Sequence, residues 1–289
     1  ITHDSDYMGG FKQGRREGEG TLKEGGMSYR GEFKDDQFWG NGHLELDDGS
    51  QYEGQFARGK PHGQGKRSDA SGNEFTGTFV NGQLEGSGIF NSAEGDQYEG
   101  EFKDNQLNGK GRYENADGDV WIGEFKDGAL TGKGEFIGID ASHYRGQFSE
   151  WRFNGPGHLS LADGSTYVGD FANDTYQGYG TLTLSDGSVE KGYWINGLRV
   201  RDDKGNLLPD PLELGLLNQG KLLDKALKAV PPSTPAIELY SLVLGGDGKQ
   251  SVFLREADYV SDMLASRFGS RGQISLVNHR DHLMDRPMA

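Results

Sequence analysis

The sequence repeats one pattern every 23 residues, and few folds can accommodate such a period. Each copy opens with an aromatic residue (position 1), followed by glycine at position 3, phenylalanine at position 5 and two glycines at positions 12 and 14. Seven copies begin at Tyr29, Tyr52, Phe75, Tyr98, Trp121, Tyr144 and Tyr167. A shorter copy precedes them from Tyr7, and another begins at Glu190 and stops after Trp194. A fixed short period indicates a repeat architecture in which each unit packs against its neighbours.

Alternation of apolar and polar residues predicts two strands within each copy. In the copy that begins at Tyr98, the first six residues alternate, turn-forming residues follow, and Gly109 to Glu114 alternate again. Asp117-Gly118 then closes the unit with a dipeptide typical of tight turns between antiparallel strands. We predict that each copy is a β-hairpin and that the hairpins form one elongated, single-layer antiparallel meander.

The aromatic residues and the glycines are predicted to share one face of this sheet, because side chains two residues apart in a strand point the same way. We expect the rings of one strand to cover the glycines of the next. Burial of roughly 150–250 Å² per ring offsets the roughly 0.5–1 kcal/mol that glycine costs relative to alanine. This aromatic–glycine face is the candidate binding surface, with the rings Tyr29, Phe33, Tyr52, Phe56, Phe79, Tyr98, Phe102, Trp121, Phe125, Tyr144, Phe148, Tyr167 and Phe171.

The motif Tyr-x-Gly-x-Phe, followed by Gly-x-Gly and Asp-Gly, resembles the MORN repeat over residues 7–198. The resemblance implies a twisted single-layer meander of about eight hairpins. It also implies a scaffold or partner-binding role, in some members near membranes or beside catalytic domains. One copy departs from the pattern: it reads Ile-Gly-Ile-Asp-Ala141 where others have Asp-Gly, and we expect an irregular closing turn there.

Composition excludes several classes of function. The chain has 48 glycines in 289 residues, 33% hydrophobic residues and a net charge of −15. Such low hydrophobicity with net charge favours disorder, but aromatic residues at fixed spacing argue against it. The acidic balance disfavours nucleic acid and anionic lipid as partners. Because cysteine is absent, disulfides, thiolate metal sites and a cysteine nucleophile are excluded within these residues.

The repeat pattern ends after Gly197, and different signals follow. Asp210-Pro211 predicts a helix start, and a stripe of leucines that ends at Val230 predicts an amphipathic helix that could cap the open edge of the sheet. The proline-rich stretch 231–235 predicts a stiff linker. We therefore divide the chain into a repeat array at 1–198, a helix and linker at 199–235, and a third segment at 236–289.

The third segment predicts a strand, a helix and a second strand, which form a parallel βαβ unit at the start of a larger α/β domain. Its Leu-Gly-Gly-Asp-Gly loop, Phe-Leu-Arg-Glu-Ala-Asp helix and Leu-Val-Asn-His-Arg-Asp strand end resemble the start of bacterial legumain-like cysteine peptidases. That resemblance implies a caspase-like fold, a catalytic half that follows these residues, and a cell-envelope location. It also places Arg255 near a substrate-specificity pocket, although a surface arginine on a helix explains the residue better.

Other polar clusters have simpler explanations than a cofactor or metal, and we predict neither. His279, Asp281, His282 and Asp285 fit a polar loop better than a metal site. The glycine-rich segment 245–248 lacks the full spacing of a nucleotide site and is explained by a plain turn. Asp48, Asp117, Asp163 and Asp186 occur singly, whereas calcium needs several oxygen ligands.

These observations predict a non-catalytic interaction arm that binds a protein or a second copy of itself as a homodimer. We expect the arm to be joined to a cysteine peptidase. The alternative is a lipid- or membrane-associated adaptor without peptidase activity.

Overall fold

A computed structural model describes residues 5–245, 251–278 and 285–288. The chain divides into two compact units, Ile1–Gly205 and Asn206–Ala289. Eighteen strands of the described residues form the sheet of the first unit. Their bounds are β1 Ser5–Lys12, β2 Arg15–Glu24, β3 Met27–Lys34, β4 Gln37–Glu45, β5 Gln51–Ala57, β6 Lys60–Ser68, β7 Glu74–Val80, β8 Gln83–Asn91, β9 Gln97–Lys103, β10 Gln106–Glu114, β11 Val120–Lys126, β12 Ala129–Ile137, β13 His143–Ser149, β14 Arg152–Ser160, β15 Thr166–Ala172, β16 Thr175–Thr183, β17 Val189–Ile195 and β18 Leu198–Asp202.

Each strand pairs antiparallel with the strands next to it in sequence, which confirms the predicted meander. The register places position 1 of a repeat opposite position 16 on both sides: Tyr98 pairs with Phe90 and with Tyr113. The glycines at positions 3 and 14 also face each other, as Gly100 and Gly111 do. Aromatic side chains and glycines therefore lie in continuous rows across the sheet.

The turn within each hairpin has two central residues with positive φ, the geometry that matches the twist of antiparallel strands. Asp104 and Asn105 have φ of 51° and 66°. The backbone N–H of the second turn residue donates to the position-10 carbonyl of the preceding repeat, as Asn105 does to Leu84 at 3.2 Å. Each hairpin tip is thereby tied to the repeat before it.

The turns between repeats place their fourth residue in the left-handed region, where glycine costs least. Gly164 has φ of 87° and its N–H donates to the carbonyl of Leu161 at 3.0 Å. The copy without Asp-Gly forms the same turn: Ala141 takes φ of 69° and donates to Gly138 at 3.0 Å. The expected irregular turn is wrong, because pairing on both flanks holds the backbone and alanine accepts the strain.

The second unit contains two helices and a parallel two-stranded sheet. Helix α1 spans Pro211–Ala229, β19 Tyr240–Gly245, α2 Ser251–Phe268 and β20 Gly272–Val277. The strands pair in parallel, which confirms the predicted βαβ unit. Gly269 ends α2 with φ of 61°. The predicted glycine-rich turn and most of the predicted polar cluster fall on residues 246–250 and 279–284, outside the described residues, and the role of α1 as a cap stays a prediction.

Candidate interaction surface

One row of side chains runs across the sheet and contributes part of its core. It consists of the paired residues at positions 1 and 16, and we call it the core row. In order of pairing it contains Leu22, Tyr29, Leu44, Tyr52, Arg67, Phe75, Phe90, Tyr98, Tyr113, Trp121, Phe136, Tyr144, Leu159, Tyr167 and Leu182.

Five of the full copies place a tyrosine of the core row flat over their own glycines: Tyr29, Tyr52, Tyr98, Tyr144 and Tyr167 are all buried. A Cβ added to Gly42 would lie 2.6 Å from ring atoms of Tyr29, so the ring occupies the space of a side chain. The Tyr29 hydroxyl donates to the carbonyl of Glu32 at 2.9 Å, and Tyr98 donates to Glu101 at 3.0 Å. We call these copies tyrosine repeats.

Burial removes these hydroxyls from water and raises their pKa, since an apolar environment disfavours the phenolate. The pKa of Tyr52, Tyr98, Tyr144 and Tyr167 is raised to about 12. Burial raises the pKa of Tyr29 as well. These tyrosines are therefore neutral hydrogen-bond donors over the whole physiological range.

The two copies that begin at Phe75 and Trp121 pack differently. A leucine at position 10 takes the place above the glycine: Leu84 Cδ1 would lie 2.9 Å from a Cβ at Gly77, and Leu130 Cδ1 2.7 Å from one at Gly123. Both leucines are fully buried. We call these copies leucine repeats. Because the leucine fills the space, Phe75 and Trp121 are displaced toward solvent and only half-buried.

The first leucine repeat creates a partly open segment of the core row that we call the Arg67 step, made of Arg67, Phe75 and Phe90. All three side chains are half-buried. The rings of Phe75 and Phe90 lie 5.0 Å apart, and the Arg67 guanidinium lies 4.5 Å from the centroid of Phe75. The step presents aromatic surface beside a positive charge.

The second leucine repeat creates a larger open segment that we call the Trp121 step, made of Tyr113, Trp121, Phe136 and Trp151. Tyr113 lies 5.9 Å from Trp121, and Phe136 lies 5.0 Å from Trp121, between ring centroids. Trp151 extends this cluster from the next hairpin, 5.0 Å from Tyr113. Burial and the carboxylate of Asp96 raise the pKa of Tyr113 to about 12.

Trp151 occupies a strained backbone position. It is the second residue of its hairpin turn, with φ of 70°, where the equivalent residues are glycine, aspartate or asparagine. A bulky residue in the left-handed region is an outlier, and such strain is retained where a side chain must be held in place. Here it directs the indole onto Tyr113 and Trp121 of the preceding repeats.

The opposite face of the sheet is mainly polar. Its central row is largely exposed and carries charges of both signs, as in the ion pair of Arg145 with Glu135 at 2.9 Å. Ile89, Ile122 and Val168 interrupt the row as single exposed apolar residues. This face is mainly solvated, and its exposed ion pairs contribute little to stability.

The thirteen rings predicted to form the binding surface differ in solvent exposure. Twelve of the thirteen rings are buried, at 4% exposure or less, and Trp121 alone of that set is half-exposed. Sequence reasoning missed Arg67, Phe75, Phe90, Tyr113, Phe136 and Trp151 as accessible members of the same face. The available signal was a position 1 without tyrosine together with leucine at position 10, as in Phe75 with Leu84 and Trp121 with Leu130.

Arg255 lies exposed on α2, and its role beside a substrate pocket stays a prediction. The turn aspartates Asp48, Asp163 and Asp186 each accept a hydrogen bond from the backbone N–H of the serine two residues later, at 2.8 Å. In the part of the chain that the structure describes, no cluster of three or more histidine, aspartate or glutamate side chains could hold a metal ion. None of the described helices is long and apolar enough to cross a membrane.

A family model for the MORN repeat matches residues 7–23, 29–51, 52–74, 75–97, 98–120, 121–141, 144–166 and 167–189, which is more than half of the chain. The chain belongs to the MORN repeat family. The match includes both leucine repeats, so the exposed steps arise within ordinary MORN repeats. MORN repeats are non-catalytic scaffold or interaction modules, and this array is one of them.

Comparison with curated proteins gives no match to this MORN array or to the rest of the chain. Among solved structures, the chain is similar to the TCP10 domain of Danio rerio CPAP in complex with a STIL peptide, at 10% identity and a TM-score of 0.40, over 66% of this chain and 84% of that one. It is also similar to the TCP domain of Drosophila melanogaster SAS-4 in complex with a proline-rich motif of Ana2, at 14% identity and a TM-score of 0.26, over 61% and 84%. At these scores the likenesses carry no argument about the MORN array.

Proposed function

We propose that the MORN array is a non-catalytic interaction arm that binds an extended polypeptide along the core row, across the Arg67 step and the Trp121 step. The carrying observation is that the two leucine repeats leave their position-1 rings, Phe75 and Trp121, half-buried, whereas the position-1 tyrosines of the other five full copies are buried. Clustered aromatic residues and arginine provide most of the binding energy in protein interfaces.

The spacing of the two steps suits one extended segment. Phe75 lies on β7 and Trp121 on β11, four strands further along the sheet. At about 4.8 Å per strand the separation is roughly 19 Å, which an extended chain spans in roughly six residues. Tyr98 lies buried between the steps and offers no ring to the bound segment.

A random dodecapeptide phage library, selected on the full chain, tests this proposal. We expect enriched peptides that lose at least tenfold in affinity on Trp151→Gly. Glycine suits the backbone there, as Gly128 does in the preceding hairpin, so the variant removes the ring and keeps the turn. Ile122→Thr is the matched control on the opposite face, where Thr76 is the equivalent residue, and it should leave affinity unchanged.

Two results contradict the proposal. If the selection enriches no peptide, the proposal that this surface binds an extended polypeptide is contradicted. If Ile122→Thr lowers the affinity of the enriched peptides and Trp151→Gly does not, the peptides bind the opposite face of the sheet.

A partner enzyme domain is a further part of the proposal. The βαβ unit of Tyr240–Val277 supports it, because two parallel strands with Leu242 and Leu244 each 60% exposed suit the beginning of a larger sheet. Reading the coding sequence beyond Ala289 tests it: His-Gly and Ala-Cys motifs support an attached cysteine peptidase, and their absence contradicts it.

Two other partners proposed from the sequence have direct tests. Edge strand β1, with Met8 76% exposed, supports self-association, which light scattering after size exclusion measures; a concentration-independent monomer contradicts a homodimer. The lipid-associated alternative predicts co-sedimentation with phosphatidylserine vesicles at low salt, and a supernatant that retains all of the protein contradicts it.

A further inference from the structure

Arg67 is a charged residue in a row of apolar ones. At position 16 the other full copies carry leucine or an aromatic residue: Leu22, Leu44, Phe90, Tyr113, Phe136, Leu159 and Leu182. A charge that is partly removed from water is unfavourable unless it gains a partner of opposite charge. The substitution therefore needs an explanation beyond packing.

The contacts of Arg67 hold its guanidinium without neutralising it. It stacks 4.5 Å from the centroid of Phe75 and 5.7 Å from that of Phe79. Burial lowers the pKa of Arg67, although the side chain stays charged at every physiological pH. Stacking uses the flat face of the group and leaves its N–H donors at the edge for another ligand.

The carboxylate of Asp69 interacts electrostatically with Arg67, but its hydrogen bonds are made within its own turn. Asp69 accepts hydrogen bonds from the side chain of Asn73 at 2.9 Å and from the backbone N–H of Ser71 at 2.9 Å, within its own turn. Within the described residues, the Arg67 guanidinium forms neither an ion pair nor a hydrogen bond. Planar guanidinium donors match a carboxylate in a two-point contact.

We propose that Arg67 binds the carboxylate of a single aspartate or glutamate in the extended partner, while the Trp121 step binds an apolar side chain of the same segment. This inference rests on the proposed function and adds the chemistry that the partner must carry. Arg67 on β6 and Trp121 on β11 are five strands apart. The separation is roughly 24 Å, so the two partner residues lie roughly seven positions apart.

The net charge of the chain favours a partner with one acidic residue over a partner with a run of acidic residues. At −15 the protein repels a polyanion, whereas a single carboxylate meets Arg67 at short range. Screening over about 8 Å at physiological salt weakens the repulsion and leaves the direct contact largely intact. We therefore expect neutral and apolar residues around the acidic one.

The dodecapeptide library, displayed with blocked carboxyl ends, gives the decisive test, because any selected carboxylate is then a side chain. We expect one acidic residue roughly seven positions from an aromatic or large aliphatic residue. Replacing that residue by its amide in a synthetic peptide should weaken binding to the native chain at least tenfold by calorimetry. It should have no effect on binding to Arg67→Leu.

Arg67→Leu keeps the fold, since leucine occupies the same position in four other copies. Its thermal midpoint, measured in parallel, should equal or exceed that of the native chain. Peptides that bind the native chain and Arg67→Leu equally, or that lack an acidic residue, overturn this inference and leave the proposed function intact. Absence of selected peptides contradicts the proposed function itself.

Discussion

The tyrosine repeats and the leucine repeats have the same glycines and the same strand pairing, yet they expose different surfaces. In a tyrosine repeat, the ring covers glycine and its hydroxyl donates to a backbone carbonyl, as Tyr98 does to Glu101 at 3.0 Å. In a leucine repeat, Leu84 or Leu130 covers the glycine and the aromatic residue moves outward. The comparison shows that the space above the glycines admits one side chain, and that the occupant decides whether the position-1 or the position-10 residue lies outermost.

The largest expected effect comes from emptying this cavity in a leucine repeat. Leu84 is fully buried, so Leu84→Ala should lower the free energy of unfolding by about 4 kcal/mol, within the range for buried leucine. Leu107 occupies the same position beside Tyr98 and is only half-buried. Denaturant unfolding of Leu107→Ala should give less than half of that loss, and equal losses contradict the distinction between the repeats.

Adding a methyl group to a glycine that the tyrosine ring covers tests the packing of the tyrosine repeats. Gly42→Ala places a methyl group 2.6 Å from the Tyr29 ring, and we expect a loss of about 3 kcal/mol by overpacking. The matched Gly88→Ala meets the backbone carbonyl of Thr76 at 2.9 Å and the Phe102 ring at 3.1 Å, and it should cost less, about 2 kcal/mol, because both contacts are longer. Chemical denaturation measures both, and the reverse order contradicts the proposed occupancy.

Alkaline pH should weaken the packing of the tyrosine repeats. Their hydroxyls have a raised pKa of about 12, so the folded state holds its protons more tightly than the unfolded state. Stability is therefore fully present below about pH 10, the ordinary tyrosine pKa, and is lost as pH rises toward 12. Tyr98→Phe should cost about 1 kcal/mol at pH 7 and reduce the alkaline loss. A thermal midpoint with unchanged pH dependence contradicts this assignment.

The smallest expected effect is a gain in the leucine repeat that begins at Trp121. Ala141→Gly should raise the free energy of unfolding by about 1 kcal/mol. A left-handed backbone costs alanine about 1–2 kcal/mol, and the greater conformational entropy of glycine in the unfolded chain offsets part of the gain. Thermal unfolding measures the gain. Gly164→Ala, the reverse change in a tyrosine repeat, should lose a similar amount; two changes of the same sign contradict the account.

The meander was predictable because the period places glycine, aromatic and turn residues where only stacked hairpins satisfy all of them. Gly100 faces Gly111 as alternation requires. The parallel βαβ unit followed from its apolar runs. The accessible residues of the surface were harder to predict. Tyr98 and Trp121 share position 1, but the burial of a position-1 side chain depends on whether the residue nine positions later occupies the same space. That competition is a property of packing in three dimensions, which a single-strand pattern does not contain.

Arg67 and Trp151 illustrate the same limit. Arg67 replaces a leucine in the pattern, and only the pairing with Phe75 shows that its charge lies on the aromatic face. Trp151 sits at a turn position where the sequence predicts a small residue, and its contacts with Tyr113 and Trp121 cross repeats. Residues that break a local rule were the ones that defined the candidate site.

Ties between each hairpin tip and the repeat before it give the array a mechanical property. Within the described sheet, each strand bonds to its sequence neighbours, so we expect tension applied at the two ends to open the sheet one hairpin at a time. Each event releases 23 residues, or about 80 Å of contour length. The arm would behave as a graded extensible tether that lengthens in equal increments while the remaining repeats keep their shape.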